Sequence, residues 1–141
     1  MEDKTIRFTE YIFAGMGLAI SIYLTLYHYA GVPLVCSDSG LINCASVLNS
    51  PYAYVLGIPI AVFGIIFFLA MLAFLFINNM DAILIWNLIG IGTVVYLLDI
   101  ERLVGHICAW CTAVHVIVLI LLMLSLYRAS AKKQFKDRST K

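Results

Sequence analysis

Charged residues occupy few positions along this chain, and long apolar stretches lie between them. Four segments contain no Asp, Glu, Lys or Arg: residues 11–37, 39–80, 82–98 and 103–127. A membrane-spanning α-helix needs about 20 predominantly apolar residues. The pattern therefore predicts four membrane helices, near residues 10–31, 57–78, 82–102 and 107–128.

The second charge-free segment is too long for a single membrane span. Its first part contains the turn-forming sequences "SDSG" and "NSP", which favour a loop. We therefore predict an outer loop over residues 32–56 and a tight turn at "NNMD", residues 78–81. The third helix is expected to extend past Asp99 and Glu101 into the interface, because its charge-free run is short.

Composition supports a membrane location. Hydrophobic residues make up 63% of the chain and charged residues 12%, and the mean hydropathy of +1.00 lies outside the range of soluble domains. We predict an all-α integral membrane protein in which residues 1–141 form one four-helix bundle. Nothing in the sequence suggests nucleic-acid binding.

Basic residues predict the orientation in the membrane, because Lys and Arg collect on the cytoplasmic side. All but one of the nine flank the outermost helices: Lys4, Arg7, Arg128, Lys132, Lys133, Lys136, Arg138 and Lys141. Both termini are therefore predicted to be cytoplasmic. The basic segment from Arg128 onward, with the tail over residues 129–141, is expected to meet solvent or lipid headgroups. The first helix is expected to be retained, because it is longer than a signal-peptide core and no small-residue cleavage site follows.

The four cysteines are candidates for redox chemistry. Cys36 and Cys44 lie in the predicted loop, and Cys108 and Cys111 lie at the start of the fourth helix. The topology places all four on the outer face, where disulfides persist. Three pairings are possible, and the sequence does not choose among them.

The spacing of each pair limits its partners. Residues i and i+3 of a helix lie within disulfide range, so Cys108 and Cys111 can close on each other. A helix N-terminus also favours a thiolate, above all at Cys108 in the predicted first turn. Eight extended residues reach up to about 27 Å, so Cys44 has two possible partners, Cys36 and Cys108.

A polar stripe continues below the CxxC pair at helical spacing. It consists of Cys108, Cys111, Thr112 and His115. A histidine inside the membrane is a functional candidate because an ionisable group is costly there. The alternative is an interhelical hydrogen bond, for which the first helix offers Ser21, Thr25 and His28.

Thiol–disulfide exchange connects the two pairs in one scheme. A reduced external dithiol attacks the loop disulfide at Cys36, the released Cys44 attacks Cys108, and the freed Cys111 faces the membrane. The final acceptor must dissolve in lipid and take up two electrons and two protons, which describes a quinone. Two alternatives are inert disulfides in a four-span scaffold and a zinc site of four thiolates.

These motifs resemble the vitamin K epoxide reductase (VKOR) family, in particular its prokaryotic members that act like the disulfide-forming quinone reductase DsbB. The resemblance covers nearly the whole chain. It is carried by the four-helix pattern, "CSDSGLINC" in the loop, "NSPYAYVLGIPIAVFG" before and in the second helix, and "CAWCT" at the fourth.

The resemblance implies a bundle around a quinone of the ubiquinone, menaquinone or vitamin K type. A short amphipathic loop helix would cover the site, with Val47, Leu48, Tyr52 and Tyr54 on the membrane interface. Cys108 would exchange with Cys44, and Cys36 would meet a thioredoxin-like partner. The implied quinone-binding residues are Cys111, His115, Ser50, Leu48, Trp110 and Ile60.

Two positions depart from the animal members of the family. Ile60 stands where they carry an asparagine in the second helix, and His115 stands where they carry a tyrosine after the CxxC motif. We therefore expect plain quinone reduction in a prokaryotic plasma membrane; reduction of the epoxide in the endoplasmic reticulum is the alternative. The segment after Tyr127 is too short for a thioredoxin-like domain, so the partner is expected to be a separate protein.

Overall fold

The computed structural model describes residues 2–36 and 39–139. In this part of the chain, four helices are long and apolar enough to cross a membrane. They are α1 (Glu2–Ala30), α3 (Ile60–Ile77), α4 (Met80–Val104) and α5 (Ala109–Ser139). The loop between α1 and α3 contains the short helix α2 (Cys44–Leu48), a 3-10 turn (Pro51–Ala53) and the strands β1 (Tyr54–Val55) and β2 (Ile58–Pro59). The chain is an all-α integral membrane protein, as predicted.

The four long helices form a bundle in which α1 packs against α3 and α5, and α4 packs against α5 and α3. The middle of the bundle is filled by fully buried side chains: Ala14, Phe68, Met71, Leu75, Ile83 and Leu121. Gly17 allows α1 to approach α3 closely, because a Cβ atom there would lie 2.2 Å from Cζ of Phe68. Small residues commonly permit such close contact between membrane helices.

The two ends of the bundle have different roles below. We call the end that holds the loop 31–59 and the start of α5 the cysteine end, and the opposite end the tail end. At the tail end, α3 stops at Asn78, whose φ is 58°, and Oδ1 of Asn79 accepts a hydrogen bond from Ala82 N at 3.2 Å to cap α4. A tight turn at the predicted place is confirmed, but it consists of Asn78 and Asn79, because Met80 and Asp81 already belong to α4.

Several predicted boundaries are wrong. Helix α1 begins at Glu2 and not near residue 10, and α5 continues to Ser139, so most of the predicted tail is helical. A charge-free run measures only the apolar part of a helix, whereas the helix itself can continue through polar residues beyond the hydrocarbon core. Helix α3 begins at Ile60, later than the predicted residue 57.

The later start of α3 is due to a β-hairpin. Strands β1 and β2 pair antiparallel, with Tyr54 opposite Pro59. Leu56 and Gly57 form the turn, with φ values of 54° and 80°, as in the two-residue turns that suit hairpins. This hairpin is hard to recognise from the residue pattern, because such turns usually carry Asn or Asp and not leucine at the first position.

The loop helix α2 is present as predicted, but its apolar side faces inward. Val47 and Leu48 are buried against the bundle, so their predicted place on the membrane interface is wrong. A hydrogen-bond contact of 3.0 Å between Nε2 of His28 and the carbonyl oxygen of Leu48 holds α2 against α1, and the Cys36–Cys44 disulfide ties α2 to the loop segment that follows α1. Tyr52 and Tyr54 do have exposed rings.

A buried polar cluster closes the tail end. The Arg128 guanidinium, only 4% exposed, pairs with Glu10 and donates hydrogen bonds to Asp3 at 3.0 Å and Asn78 at 2.9 Å. Oγ of Ser125 lies 3.0 Å from Oε1 of Glu10. The prediction that Arg128 lies among solvent-facing tail residues is therefore wrong, because acidic partners on α1 draw its side chain inward.

This cluster gives the first prediction. Arg128→Met should lower the free energy of unfolding by about 3–5 kcal/mol, because it leaves the buried Glu10 carboxylate without its cation. Lys132→Met is the matched control, since Lys132 is an exposed residue one turn further along α5. Denaturant unfolding in detergent measures both. Equal effects of the two substitutions would contradict a structural role for the Arg128 pair.

Candidate redox site

The loop cysteines form a disulfide with each other. Cys36 and Cys44 are bonded, with their Cα atoms 6.2 Å apart. Cys44 is fully buried at the start of α2, whereas Cys36 is partly exposed. The pairing that the sequence left open is therefore Cys36 with Cys44, and a site of four thiolates is incompatible with this state.

The CxxC cysteines are reduced and lie at the N-terminus of α5. Cys108 immediately precedes α5, which begins at Ala109 and not near the predicted residue 107. The carbonyl oxygen of Cys108 accepts a hydrogen bond from Thr112 N at 2.9 Å. Its Sγ atom accepts another from Cys111 N at 3.3 Å. The Cys108 thiol thus takes the place of the side-chain oxygen that usually caps a helix.

This environment favours the thiolate of Cys108. A hydrogen bond from the Cys111 side chain lowers the pKa of the Cys108 thiol despite burial, and the backbone N–H groups of Cys111 and Trp110 act in the same direction. The helix N-terminus was predicted to favour the thiolate of Cys108, and these nearby hydrogen bonds are how it does so.

Backbone pairing places the loop next to the CxxC motif. Asn43 N donates to the carbonyl oxygen of Ile107 at 3.1 Å, and Ile107 N donates to that of Leu41 at 2.8 Å. Cys44 and Cys108 directly follow the two paired residues, Asn43 and Ile107. As a result, three of the cysteines lie in one buried apolar cluster, and the fourth packs against it: Cys44, Cys108, Cys111 and Cys36.

A cavity of about 100 Å³ begins at Cys111 and extends into the bundle. Its wall is almost entirely apolar and comes from all four long helices and α2; it includes Leu24, Leu48, Ile60, Phe63, Gly64, Phe67, Thr93, Leu97, Cys111 and His115. Ile60, Phe63 and Thr93 also line a groove on the outside of the bundle, between α3 and α4. The cavity therefore adjoins a lipid-facing groove.

His115 is the polar group of interest in this cavity. It is 4% exposed, and neither ring nitrogen has a hydrogen-bond partner in the described part of the chain. The interhelical bond considered for it does not form: Thr25 donates to the carbonyl oxygen of Ser21 at 2.8 Å, and His28 contacts backbone carbonyls. A buried polar group without a partner is unusual and indicates a ligand or a solvent molecule.

The cavity brings together four of the six residues proposed for quinone binding: Leu48, Ile60, Cys111 and His115. Ser50 and Trp110 do not line it. The Ser50 hydroxyl donates to the carbonyl oxygen of Val47 at 2.8 Å, which turns it into the loop. Nε1 of Trp110 donates to the carbonyl oxygen of Val35 at 2.8 Å, and the Trp110 ring packs against Tyr23 of α1. Trp110 thus lies on a side of α5 that does not line the cavity.

One residue of the site was not recognised in the sequence. Glu101 was expected in the membrane interface, but it is buried at 8% exposure near the end of α4. Its Oε1 atom accepts a hydrogen bond from Cys108 N at 3.2 Å. The pattern that could have indicated Glu101 in the sequence is a carboxylate seven residues before the CxxC motif, with a glycine between them that allows a turn.

A membrane bundle with a loop disulfide, a reduced CxxC pair at a helix N-terminus and an apolar cavity beside that pair defines a membrane thiol redox protein. The sequence matches the Vitamin K epoxide reductase family over residues 10–126, and the chain belongs to that family. Membership implies a redox enzyme. No curated protein matches the chain at a significant level.

The unpaired imidazole gives the second prediction. His115→Leu should raise the free energy of unfolding in quinone-free detergent by about 1 kcal/mol, because it removes a buried polar group that has no partner. Ser125→Ala is the matched control: it removes a buried hydroxyl that is hydrogen-bonded to Glu10, and it should lower stability by about 1–3 kcal/mol. Loss of stability in both variants would contradict the unpaired state of His115.

Proposed function

We propose that this protein oxidises a thioredoxin-like partner and transfers the electrons to a membrane quinone, and that it acts in disulfide formation like the DsbB-like prokaryotic branch of its family. One observation carries the proposal. The loop disulfide and the CxxC pair share a buried cluster, and Cys111 of that cluster opens onto an apolar cavity with an unpaired histidine. The loop disulfide, the CxxC pair and the cavity thus follow one another as the successive stations of an electron path require.

The first part of the path is disulfide exchange. A thiolate of the partner attacks Cys36, which is partly exposed, and Cys44 leaves as a thiolate. Cys44 then attacks the Cys108–Cys111 disulfide at Cys108, and Cys111 is released on the cavity side. When the partner leaves oxidised and Cys36 and Cys44 close again, two electrons are on the CxxC pair. The cysteines in the structure are in this state.

The acceptor must reach Cys111 through the membrane. The apolar cavity wall and the adjoining groove between α3 and α4 suit a lipid-soluble molecule with a flat ring and a hydrocarbon tail. A neutral His115 has one N–H group to donate to a quinone oxygen. These features support a quinone of the ubiquinone, menaquinone or vitamin K type as the acceptor, and Ile60 adds no polar group for an epoxide.

The proposal also assigns an orientation. The cysteine end faces the outside of a prokaryotic plasma membrane, and both termini lie in the cytoplasm. The reason is that all lysines and arginines except Arg102 belong to the two terminal segments of the chain. The thioredoxin-like partner is a separate extracytoplasmic protein. The disulfide formed in the partner then lies in an oxidising compartment, where disulfides persist.

The third prediction concerns the two ends of the path. Cys111→Ser should abolish the reduction of a water-soluble quinone analogue by a reduced thioredoxin-like protein, because the pair can no longer close. Cys44→Ser, with Cys36 first converted to a mixed disulfide by a small disulfide reagent, should accumulate a mixed disulfide between Cys36 and the partner, because the partner thiolate attacks Cys36, the small thiol leaves, and Cys44 is not present to resolve the product. Quinone absorbance measures the first effect, and non-reducing electrophoresis measures the second.

Cys36→Ser is the matched control for trapping, because it removes the attacked sulfur and leaves Cys44 in place; it should trap no partner. Wild-type turnover in Cys111→Ser would refute the quinone path. A protein that reductant destabilises but that never reduces quinone would instead be a scaffold with structural disulfides. Vitamin K epoxide serves as the second substrate, and we expect no conversion.

A further inference from the structure

Glu101 is a buried carboxylate without a counter-ion among the residues that the structure describes. Within residues 2–36 and 39–139, both ion pairs of the structure are made by Arg128 at the tail end, and Glu101 takes part in neither. Its hydrogen bond is to the backbone nitrogen of Cys108. A buried acid is costly unless it is paired, so an unpaired one near a membrane interior is a candidate for proton chemistry.

The turn between α4 and α5 fixes this acid beside the redox pair. Gly105 ends α4 with a φ of 74° and donates its N–H to the carbonyl oxygen of Glu101 at 3.0 Å. The chain then reverses, so the Glu101 side chain meets the N-terminus of α5. From there its charge acts on the thiols of both Cys108 and Cys111.

We propose that Glu101 is the proton acceptor for the Cys108 thiol during oxidation of the CxxC pair. The proposal rests on the function proposed above. Mutagenesis of the cysteines alone does not test it, because it concerns the path of the proton and not of the electrons.

The step balances as follows. The S–H bond of Cys108 breaks, and its proton moves to a carboxylate oxygen of Glu101. The Cys108 thiolate forms the S–S bond with Cys111, the S–H bond of Cys111 breaks and its proton passes to a quinone oxygen, and two electrons pass to the quinone. The quinone takes up its second proton from water and becomes a hydroquinone, and Glu101 returns to the carboxylate by releasing its proton to water at the cysteine end. Two protons leave the dithiol, and two are taken up by the quinone.

Electrostatics favour one shared proton in this pair. A thiolate and a carboxylate side by side in a poorly solvated site repel each other, so the two groups together hold one negative charge. Moving the proton from Cys108 to Glu101 leaves that total charge unchanged. The Cys111 hydrogen bond that lowers the pKa of Cys108 favours the thiolate form, whereas the Glu101 charge opposes it.

Other titratable groups at this end lie mostly on α1, the loop and α4. Helix α3 has none, and α2 has only Cys44 in its disulfide. Those on neighbouring elements are Tyr23, Tyr27, His28 and Tyr29 of α1, Tyr52 and Tyr54 of the loop, Tyr96, Asp99 and Arg102 of α4, His106 of the turn, and Cys111 and His115 of α5. Among these, Asp99 is exposed on α4 and carries the same charge as Glu101.

A purely structural role is the competing explanation, because the carboxylate also caps the N-terminus of α5. Glu101→Gln separates the two roles. The glutamine oxygen can still accept the hydrogen bond from Cys108 N, but the side chain cannot take up a proton. Asp99→Asn is the matched control, since it removes the same charge from the exposed face of the same helix.

The fourth prediction has two readouts. Wild-type turnover should rise with pH as Glu101 loses its proton and becomes able to accept one. Glu101→Gln should lower the quinone-linked turnover of the full-length protein about 100-fold, the lower bound for loss of a general base, and should abolish this rise, while Asp99→Asn should turn over normally. In time-resolved infrared difference spectra recorded during oxidation of the CxxC pair, the wild type should show a transient carboxylic-acid C=O band. Glu101→Gln should lack this band, and Asp99→Asn should keep it.

Normal turnover of Glu101→Gln at all pH values, or persistence of its carboxylic-acid band, would overturn the proposal. If Glu101→Gln does not fold, Glu101→Asp is the second variant: a shifted band supports the assignment, and a band identical to that of the wild type refutes it. The spectra can be driven by a small disulfide reagent without quinone. A Glu101 band together with no quinone turnover in the wild type would therefore refute the proposed function alone.

Discussion

Two backbone hydrogen bonds between the loop and the residue before Cys108 determine the geometry of the site. They join Asn43 and Leu41 to Ile107, so Cys44 and Cys108 start from adjacent backbone positions. Helix α2 follows directly, and its buried residues Val47 and Leu48 cover the cysteine end of the bundle. Without this pairing, the loop disulfide would be tethered to the chain but not directed at the CxxC motif.

The named buried polar groups at the two ends of the bundle differ in whether they have partners. At the tail end, Arg128, Glu10 and Ser125 satisfy one another and hold α1 and α5 together. At the cysteine end, the carboxylate of Glu101 has no cation, and the imidazole of His115 has no hydrogen-bond partner within the described residues. Satisfied groups add stability, whereas unsatisfied ones cost it and are retained where chemistry needs them. This contrast separates structural from functional polarity in a chain with few charges.

Much of the fold could be predicted from the sequence, because long charge-free runs have few alternatives to membrane helices. The turn at residues 78–81 was predictable for a similar local reason, since asparagine both tolerates the left-handed region and caps helices. Boundaries in polar sequence were not predictable: α5 continues past residue 128 through charged residues, which a charge-free run does not include. The hairpin at Leu56 lacks the usual turn residues.

The site was predictable where it depends on local spacing and unpredictable where it depends on long-range contacts. The i, i+3 and i, i+7 positions place Cys108, Cys111 and His115 on one side of α5, and the latter two line the cavity. The loop pairing and the positions of Ser50 and Trp110 depend on how the loop docks, which no helical period encodes. Glu101 resembled an interfacial acid until the turn at Gly105 brought it to Cys108.

The most direct test of this account is the contact between the two cysteine pairs. The double variant Cys36→Ser with Cys111→Ser retains one sulfur of each pair, Cys44 and Cys108. Mild oxidation in membranes, followed by non-reducing peptide mapping, should yield an internal Cys44–Cys108 disulfide in high yield. The control Cys36→Ser with Cys108→Ser, which retains Cys44 and Cys111, should yield much less. Equal yields, or no internal disulfide in either variant, would contradict a relay through Cys44 and Cys108.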